Sequence, residues 1–132
     1  MANKYGKTSQ RRFDELDDDL QRLLLAVLPH WDHSVLCGHR SEQEQNDFYR
    51  KGTSKVQYPN SKHNSYPSRA VDIQPYPWKE DAQGLKELYM FIGFVRGVAN
   101  QMDIKIRCGA DWDGDGSIKD QNFHDVFHIE LI

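Results

Sequence analysis

Two stretches of the chain combine histidine and carboxylate side chains at a spacing that could do chemistry. The first, SKHNSYPSRAVDIQPYP over residues 61–77, has His63 in a polar loop and Asp72 inside the apolar run AVDI. The second, HDVFHIELI, contains Asp125 and His128. A carboxylate is costly to bury unless a partner compensates its charge. Two histidines and one carboxylate, with water in the fourth position, are the composition of a catalytic zinc site, so His63, Asp72 and His128 are predicted zinc ligands.

The two apolar runs that contain these residues both alternate with the period of a β-strand. In VFHIELI the apolar residues alternate with His128 and Glu130, and in AVDIQ Asp72 lies between Val71 and Ile73. Each strand therefore has one apolar face for packing and one face with polar side chains. If the two strands share a sheet, Asp72 and His128 point into the same cleft, and the preceding loop histidine can fold over it.

Asp125 lies three residues before His128 and off the strand. A carboxylate there can act first as a general base and then as a general acid. Taken singly, the residues have simpler interpretations: His63 as a solvated loop side chain, Asp72 as a partner of Arg69, and His128 as a hydrogen-bonded histidine on a sheet face. The joint pattern favours the metal site.

An acidic loop, DWDGDGSIKDQN over residues 111–122, precedes this second strand. Three aspartates stand at positions 1, 3 and 5 of a calcium-loop pattern, with Gly116 at position 6 and Ile118 at the apolar position 8. Position 12 is Asn122, which cannot supply a bidentate carboxylate, and a strand precedes the loop where an EF-hand has a helix. The alternative is a solvated turn. The candidate calcium ligands are Asp111, Asp113, Asp115 and Ser117.

The elements that would position these residues fit one domain. The chain has 132 residues, which suits a single hydrophobic core over 1–132. Apolar periodicity and turn residues predict helices over 13–29, 41–52 and 81–102 and strands over 33–38, 70–76, 103–108 and 126–132. No helix separates the last two strands. We therefore expect an α+β fold: a small, mainly antiparallel sheet with helices on one face and the zinc cleft on the other.

Composition excludes several classes of protein. The net charge of −3 argues against a nucleic-acid-binding protein, which usually has a basic face. No apolar run is long enough to span a membrane, and the N-terminal residues do not form a secretory signal. The two cysteines, Cys37 and Cys108, suggest small buried residues in a reducing compartment. A disulfide between them is the alternative if their strands are neighbours.

The motifs also resemble a known family. SKHNSYPSRAVD resembles the SxHxxGxAxD motif of the zinc D-Ala-D-Ala carboxypeptidases, and HDVFHIEL resembles their closing ExxHxH segment. The match is closer to the phage L-alanyl-D-glutamate endopeptidases of that family, in which an Asp replaces the Glu. GHRSEQEQNDFYRKG and IRCGADWDGDGSIKDQNFHD extend the resemblance. In this chain Asp72 follows His63 at a spacing two residues longer than in the motif, Ser68 replaces a glycine, and Glu130 replaces the second histidine.

The resemblance implies a role for each matching residue. His63, Asp72 and His128 would bind zinc and Asp125 would be the catalytic acid and base. Arg40, in GHRSEQEQ, would support the substrate and the developing oxyanion. Ser61 would help to position the substrate.

The implied protein is an endolysin: a zinc peptidase, regulated by calcium if the acidic loop binds it, that hydrolyses the L-alanyl-D-glutamate bond of bacterial peptidoglycan. We expect a monomer, made in the host cytoplasm without a signal peptide and released to the cell wall with the help of a holin. A D-Ala-D-Ala carboxypeptidase and a non-catalytic zinc- or calcium-binding module of the same fold are the alternatives. A binding module has no need of Asp125, which favours catalysis.

Overall fold

The computed structural model describes residues 2–117 and 125–132. Within them the chain forms four α-helices, one short 3₁₀ helix and four strands. The helices are α1 (Lys7–Phe13), α2 (Asp18–Val27), α3 (Glu42–Arg50) and α4 (Ala82–Gln101), and the 3₁₀ helix is Lys62–Asn64. The strands are β1 (His33–Cys37), β2 (Ala70–Pro75), β3 (Ile106–Cys108) and β4 (His128–Leu131).

The four strands form one sheet in the order β1-β2-β4-β3. Every neighbouring pair is antiparallel. The two strands with the polar residues are adjacent at its centre, and Asp72 of β2 lies opposite His128 of β4. The α+β class and the antiparallel sheet are therefore confirmed.

The alternation of apolar residues determines which side of the sheet is packed. Val71 and Ile73 of β2 and Ile129 of β4 are fully buried in the core. Helix α4 contacts β2 and β3, α2 packs against α4, and α1 contacts β1. Because successive side chains in a strand point to opposite faces, Asp72 and His128 lie on the other side from these core residues.

The N-terminal helix prediction was wrong in one respect. The region over 13–29 was predicted as one helix, but the chain forms α1 and α2 with a break between them. Asp17 begins α2, because its side chain accepts a hydrogen bond from the backbone N–H of Asp19 at 3.0 Å. Such an N-cap satisfies a donor that a continuous helix would bond internally. Ser41 caps α3, because its side chain accepts from the backbone N–H of Glu44, and Asp81 caps α4, because its side chain accepts from the backbone N–H of Gly84.

The strands near the site are shorter than predicted. The segment 103–108 contributes only Ile106–Cys108 to β3, and β4 begins at His128, so Val126 and Phe127 precede it. No helix in the described ranges is long and apolar enough to cross a lipid bilayer.

The cysteines do not pair. Cys37 ends β1 and Cys108 ends β3, which are the two opposite edges of the sheet, and both thiols are free. Cys108 is buried, as expected, whereas Cys37 is only partly buried.

Candidate active site

The centre of the site is the cross-strand pair of Asp72 and His128. Their strands are antiparallel neighbours, so the two side chains leave the sheet side by side. Oδ1 of Asp72 lies 3.3 Å from Nδ1 of His128.

His63 reaches this pair from the 3₁₀ helix. Ser61 begins that helix: its hydroxyl accepts from the backbone N–H of His63 at 3.2 Å, and its own N–H donates to the side chain of Asn64 at 3.0 Å. His63 is 1% exposed, so its interpretation as a solvated loop residue is wrong. Ser61 thus holds the turn that directs His63 into the site.

Three atoms that could bind a metal ion form a nearly equilateral triangle. Nε2 of His63 lies 3.3 Å from Oδ1 of Asp72 and 3.2 Å from Nδ1 of His128. The third edge, from Asp72 to His128, is 3.3 Å. A tetrahedral zinc ion with ligand bonds of about 2.0–2.1 Å requires edges of about 3.3–3.4 Å. One face of the tetrahedron therefore fits these atoms.

The remaining ring nitrogen of each histidine has a partner of its own. Nδ1 of His63 lies 2.6 Å from the carbonyl oxygen of Gly38, and Nε2 of His128 lies 2.8 Å from Oε1 of Glu130. Each oxygen favours a proton on the nitrogen that faces it. Once Nε2 of His63 and Nδ1 of His128 lose their protons, their lone pairs face the triangle, as in metal-binding histidines.

The local electrostatics keep the Asp72 carboxylate charged. Its burial raises its pKa, but hydrogen bonds from His128 and His63 outweigh burial and lower it well below its usual range. Burial lowers the pKa of His63, but the hydrogen bond to Asp72 and the contact with Cys37 raise it to about 10. Sγ of Cys37 is 3.8 Å from Nδ1 of His63. A metal ion that binds here must therefore displace protons from the site.

Asp125 lies beside the triangle. Its Oδ2 is 3.9 Å from Nδ1 of His128, beyond hydrogen-bonding distance. Burial, followed by the negative charge of Asp72, raises the pKa of Asp125. Its backbone is fixed against Gly109, where a Cβ atom would lie 2.0 Å from the Asp125 carbonyl oxygen.

Arg40 contacts the other oxygen of Asp72, with Nη2 3.4 Å from Oδ2. Its Nη1 donates to Gln45 at 3.1 Å, and its guanidinium carbon lies 4.5 Å from the ring centroid of Phe48. Its backbone N–H donates to the carbonyl of His63 at 2.8 Å. Nε of Arg40 is buried without a hydrogen-bond partner among the described residues. The arginine is thus tied to two of the predicted zinc ligands.

A cleft of about 360 Å³ opens over these residues. Ser61, Arg40 and Asp125 line it, together with two lysines, Lys55 and Lys62.

Three residues with direct contacts in this region were missed as site residues. The ring centroid of Trp112 is 5.3 Å from that of His128, and Lys62 Nζ is 3.5 Å from Glu130 Oε2. The alternation of β4 places Glu130 on the same face as His128, and that signal could have identified it. No comparable pattern marks Trp112 or Lys62.

The acidic loop is described as far as Ser117, and Ile118 and Asn122 lie outside the described residues. Asp111 is 5% exposed, and its Oδ2 accepts from Arg96 and from the Gly116 N–H, each at 2.8 Å. Its Oδ1 is buried and has no partner within the described part of the chain. Asp111, Asp113 and Asp115 each offer an oxygen atom, all within 4.8 Å of one another. A cation could bind there.

The fold and the site together define an α+β domain with a histidine–aspartate–histidine triangle suited to a metal ion. The family model for the phage L-alanyl-D-glutamate peptidases matches residues 1–132, and the chain belongs to that family.

Two individual proteins are similar over nearly the whole chain. The L-alanyl-D-glutamate peptidase of Escherichia phage T5 is 27% identical over 138 residues, which cover 100% of both chains. The crystal structure of an L-Ala D-Glu endopeptidase from Serratia marcescens superposes with a TM-score of 0.73 at 22% identity, covering 98% of this chain and 91% of that one. The latter supports the fold.

Proposed function

We propose that this protein is a zinc-dependent endopeptidase that hydrolyses the L-alanyl-D-glutamate bond in the stem peptide of bacterial peptidoglycan. The observation that carries the proposal is the triangle of His63, Asp72 and His128, with edges of 3.2–3.3 Å and Asp125 beside it in an open cleft. Membership of the phage L-alanyl-D-glutamate peptidase family supports the choice of this scissile bond. The enzyme would act at the cell wall as an endolysin.

His63 would bind zinc through Nε2, His128 through Nδ1 and Asp72 through Oδ1. When bound, the ion supplies a Lewis acid that polarises the scissile carbonyl and lowers the pKa of a water molecule. Gly38 and Glu130 would hold the histidine rings in position through their second nitrogens.

Asp125 would carry the proton. As a carboxylate it takes a proton from the attacking water while the water oxygen bonds to the carbonyl carbon of L-alanine. It then gives that proton to the nitrogen of D-glutamate as the carbon–nitrogen bond breaks. Its raised pKa suits a group that must both accept and release a proton.

The charge of the cleft suits the glutamyl side of the bond. A D-glutamyl residue that continues the chain through one carboxyl group keeps the other as a free carboxylate. Arg40, Lys55 and Lys62 line the cleft and could attract it. Arg40 would also stabilise negative charge that develops on the carbonyl oxygen.

The acidic loop would bind calcium weakly and regulate the enzyme. The buried Oδ1 of Asp111 supports this role, because a buried carboxylate oxygen without a partner is costly. Trp112 lies between two of the aspartates, and its ring packs near His128. Ordering of the loop by an ion could therefore affect the site.

Digestion of purified peptidoglycan tests the reaction. The expected products have new L-alanine carboxyl termini and new D-glutamate amino termini, identified by mass spectrometry. Chelation should abolish the reaction and stoichiometric zinc should restore it. Release of D-alanine instead would indicate a carboxypeptidase. If the protein contains its full complement of zinc but produces no new termini, it is a binding module.

Substitution of the three ligands tests the metal site. His63→Ala, Asp72→Ala and His128→Ala should each lower zinc occupancy, measured by elemental analysis. His30→Ala, at an exposed histidine outside the site, is the control and should retain one zinc per chain. Full zinc content in all three ligand variants would refute the site.

A further inference from the structure

A second cavity, of about 520 Å³, adjoins the catalytic cleft. Asp125 lines both. The cavity lies between the N-terminal end of α4 and the residues that precede β4, and its apolar lining consists of Trp78, Ala82, Leu85, Leu88, Val126 and Phe127. Its size is in the range of small-molecule sites, about 300–1,000 Å³.

The aromatic wall of this cavity is held in place by its surroundings. The indole N–H of Trp78 donates to the carbonyl of Gly84 at 2.7 Å, and the ring meets Phe127 edge-on with centroids 5.5 Å apart. The chain turns so tightly here that a Cβ on Gly84 would lie 1.7 Å from the carbonyl oxygen of Lys79. Leu85 completes the wall and is 48% exposed. A rigid aromatic surface beside an exposed leucine loses little conformational entropy when it binds a ligand.

The two cavities differ in charge. The catalytic cleft is lined by three cationic residues, Arg40, Lys55 and Lys62, and by two acidic ones, Asp125 and Glu130. The charged residues of the second cavity are all acidic: Glu80, Asp81 and the shared Asp125. An anionic group would be repelled from the second cavity. The carboxylate of Asp81 is also engaged, because it accepts from the backbone N–H of Gly84 at 2.7 Å.

The scissile bond has two chemically different sides. Its amine side begins with glutamate and is anionic. Its acyl side is uncharged: the methyl group of alanine, then the lactyl ether and the amino sugar to which the stem peptide is attached. Asp125 would have to reach the scissile nitrogen, so the substrate would pass the one residue that lines both cavities.

We propose that the second cavity is the acyl-side subsite, in which the muramoyl sugar and its lactyl group pack against Trp78 and Leu85. This inference rests on the proposed function and extends it from the bond to the substrate. The enzyme would then recognise stem peptides that are attached to the glycan strand over free peptides.

Two soluble substrates separate the glycan from the peptide. One is a disaccharide carrying the stem tetrapeptide, and the other is the same tetrapeptide with an acetylated amino terminus. Leu85→Gln makes the wall polar and Leu85→Trp fills the cavity. Leu25→Gln, at a leucine on α2 that is 55% exposed and lines neither cavity, is the matched control.

For both Leu85 variants we expect a loss of kcat/KM that is about tenfold greater on the disaccharide-peptide than on the acetyl-peptide, mainly through KM. The control should match the wild type on both substrates. Equal losses on the two substrates, or no loss on either, would overturn the subsite while leaving the peptidase function intact. A wild-type protein that cleaves neither substrate would overturn both proposals.

Discussion

Glu130 lies behind His128, with its Oε1 2.8 Å from Nε2 of the imidazole ring. Lys62 contacts the other oxygen of Glu130 at 3.5 Å, and Arg107 lies 3.9 Å from it. The hydrogen bond to His128 lowers the pKa of Glu130 against the opposing effect of burial, so the carboxylate is charged. An ionised carboxylate behind a metal-binding histidine makes the ring a stronger ligand and fixes its orientation.

Glu130→Gln should therefore weaken zinc binding by about 10–100-fold, the usual cost of losing such a partner. The amide keeps the size of the side chain but has no charge. Competition with a chromogenic chelator measures the affinity. Glu87→Gln, at an exposed position on α4, is the matched control and should bind zinc like the wild type. Unchanged affinity in Glu130→Gln would show that Glu130 does not support His128.

Asp125→Asn should retain zinc but lose activity by about 10²–10⁴-fold, the usual contribution of general acid–base catalysis. Its side chain lies outside the triangle of ligand atoms, so the metal geometry should persist. Turnover and zinc content are measured on the same preparation. Asp14→Asn, at an exposed position at the end of α1, is the control. Normal turnover in zinc-replete Asp125→Asn would mean that another group carries the proton, with Glu130 the next candidate.

Gly109→Ala tests the position of Asp125 without changing its chemistry. The added methyl group would lie 2.0 Å from the Asp125 carbonyl oxygen, so that segment must move. We expect at least tenfold lower kcat with zinc retained, because small misplacements of a catalytic group are costly. Strain of this kind costs about 1–3 kcal/mol of stability. Gly93→Ala is the control, because nothing lies within 4 Å of its added Cβ. An active Gly109→Ala enzyme would contradict the argument.

The sequence predicted the parts of this site that depend on strand alternation. Val71 and Ile73 mark the buried face of β2, so Asp72 had to point the other way, and the same reasoning holds for His128. Asp72 and His128 are direct cross-strand partners because of the strand order and register. The apolar alternation within each single strand does not encode either of these.

Other features depended on contacts between distant segments. His63 is buried because the 3₁₀ helix packs behind the carbonyl of Gly38, which lies 25 residues away in the sequence. The break before α2 was missed because an aspartate at position 17 is equally compatible with an N-cap and with an exposed position in a longer helix. The second cavity requires Trp78 and Phe127 to meet, and no local pattern predicts that contact.

The stability of the metal-free protein should depend on the proton at His63. Its pKa in the folded protein is about 10, above the ordinary value of 6.5. Because the folded protein binds this proton more tightly than the unfolded chain does, the proton stabilises the fold fully below pH 6.5. This contribution to stability is lost as the pH rises toward 10. Thermal unfolding of the chelator-treated protein should accordingly show a lower Tm at pH 9 than at pH 6.

The same proton must leave when zinc binds, so binding at pH 8 should release protons. Calorimetric titrations in two buffers of different ionisation enthalpy measure the number released. His30→Gln, at an exposed histidine outside the site, is the comparison and should release the same number as the wild type. Zinc binding without proton release would contradict a protonated site in the metal-free protein.

The final prediction concerns calcium and the loop that contains Asp111, Asp113 and Asp115. Without a position-12 glutamate the affinity should be weak, on the order of 10⁻⁴–10⁻³ M. An ion there would offset the repulsion among three carboxylates and order the segment that contains Trp112, whose ring centroid is 5.3 Å from that of His128. Calcium should then raise the activity of the zinc-replete enzyme without changing its zinc content. The double variant Asp113→Ala with Asp115→Ala should lose the response, while magnesium serves as the ionic control. A flat calcium titration, or one that the double variant leaves unchanged, would identify the loop as a solvated turn.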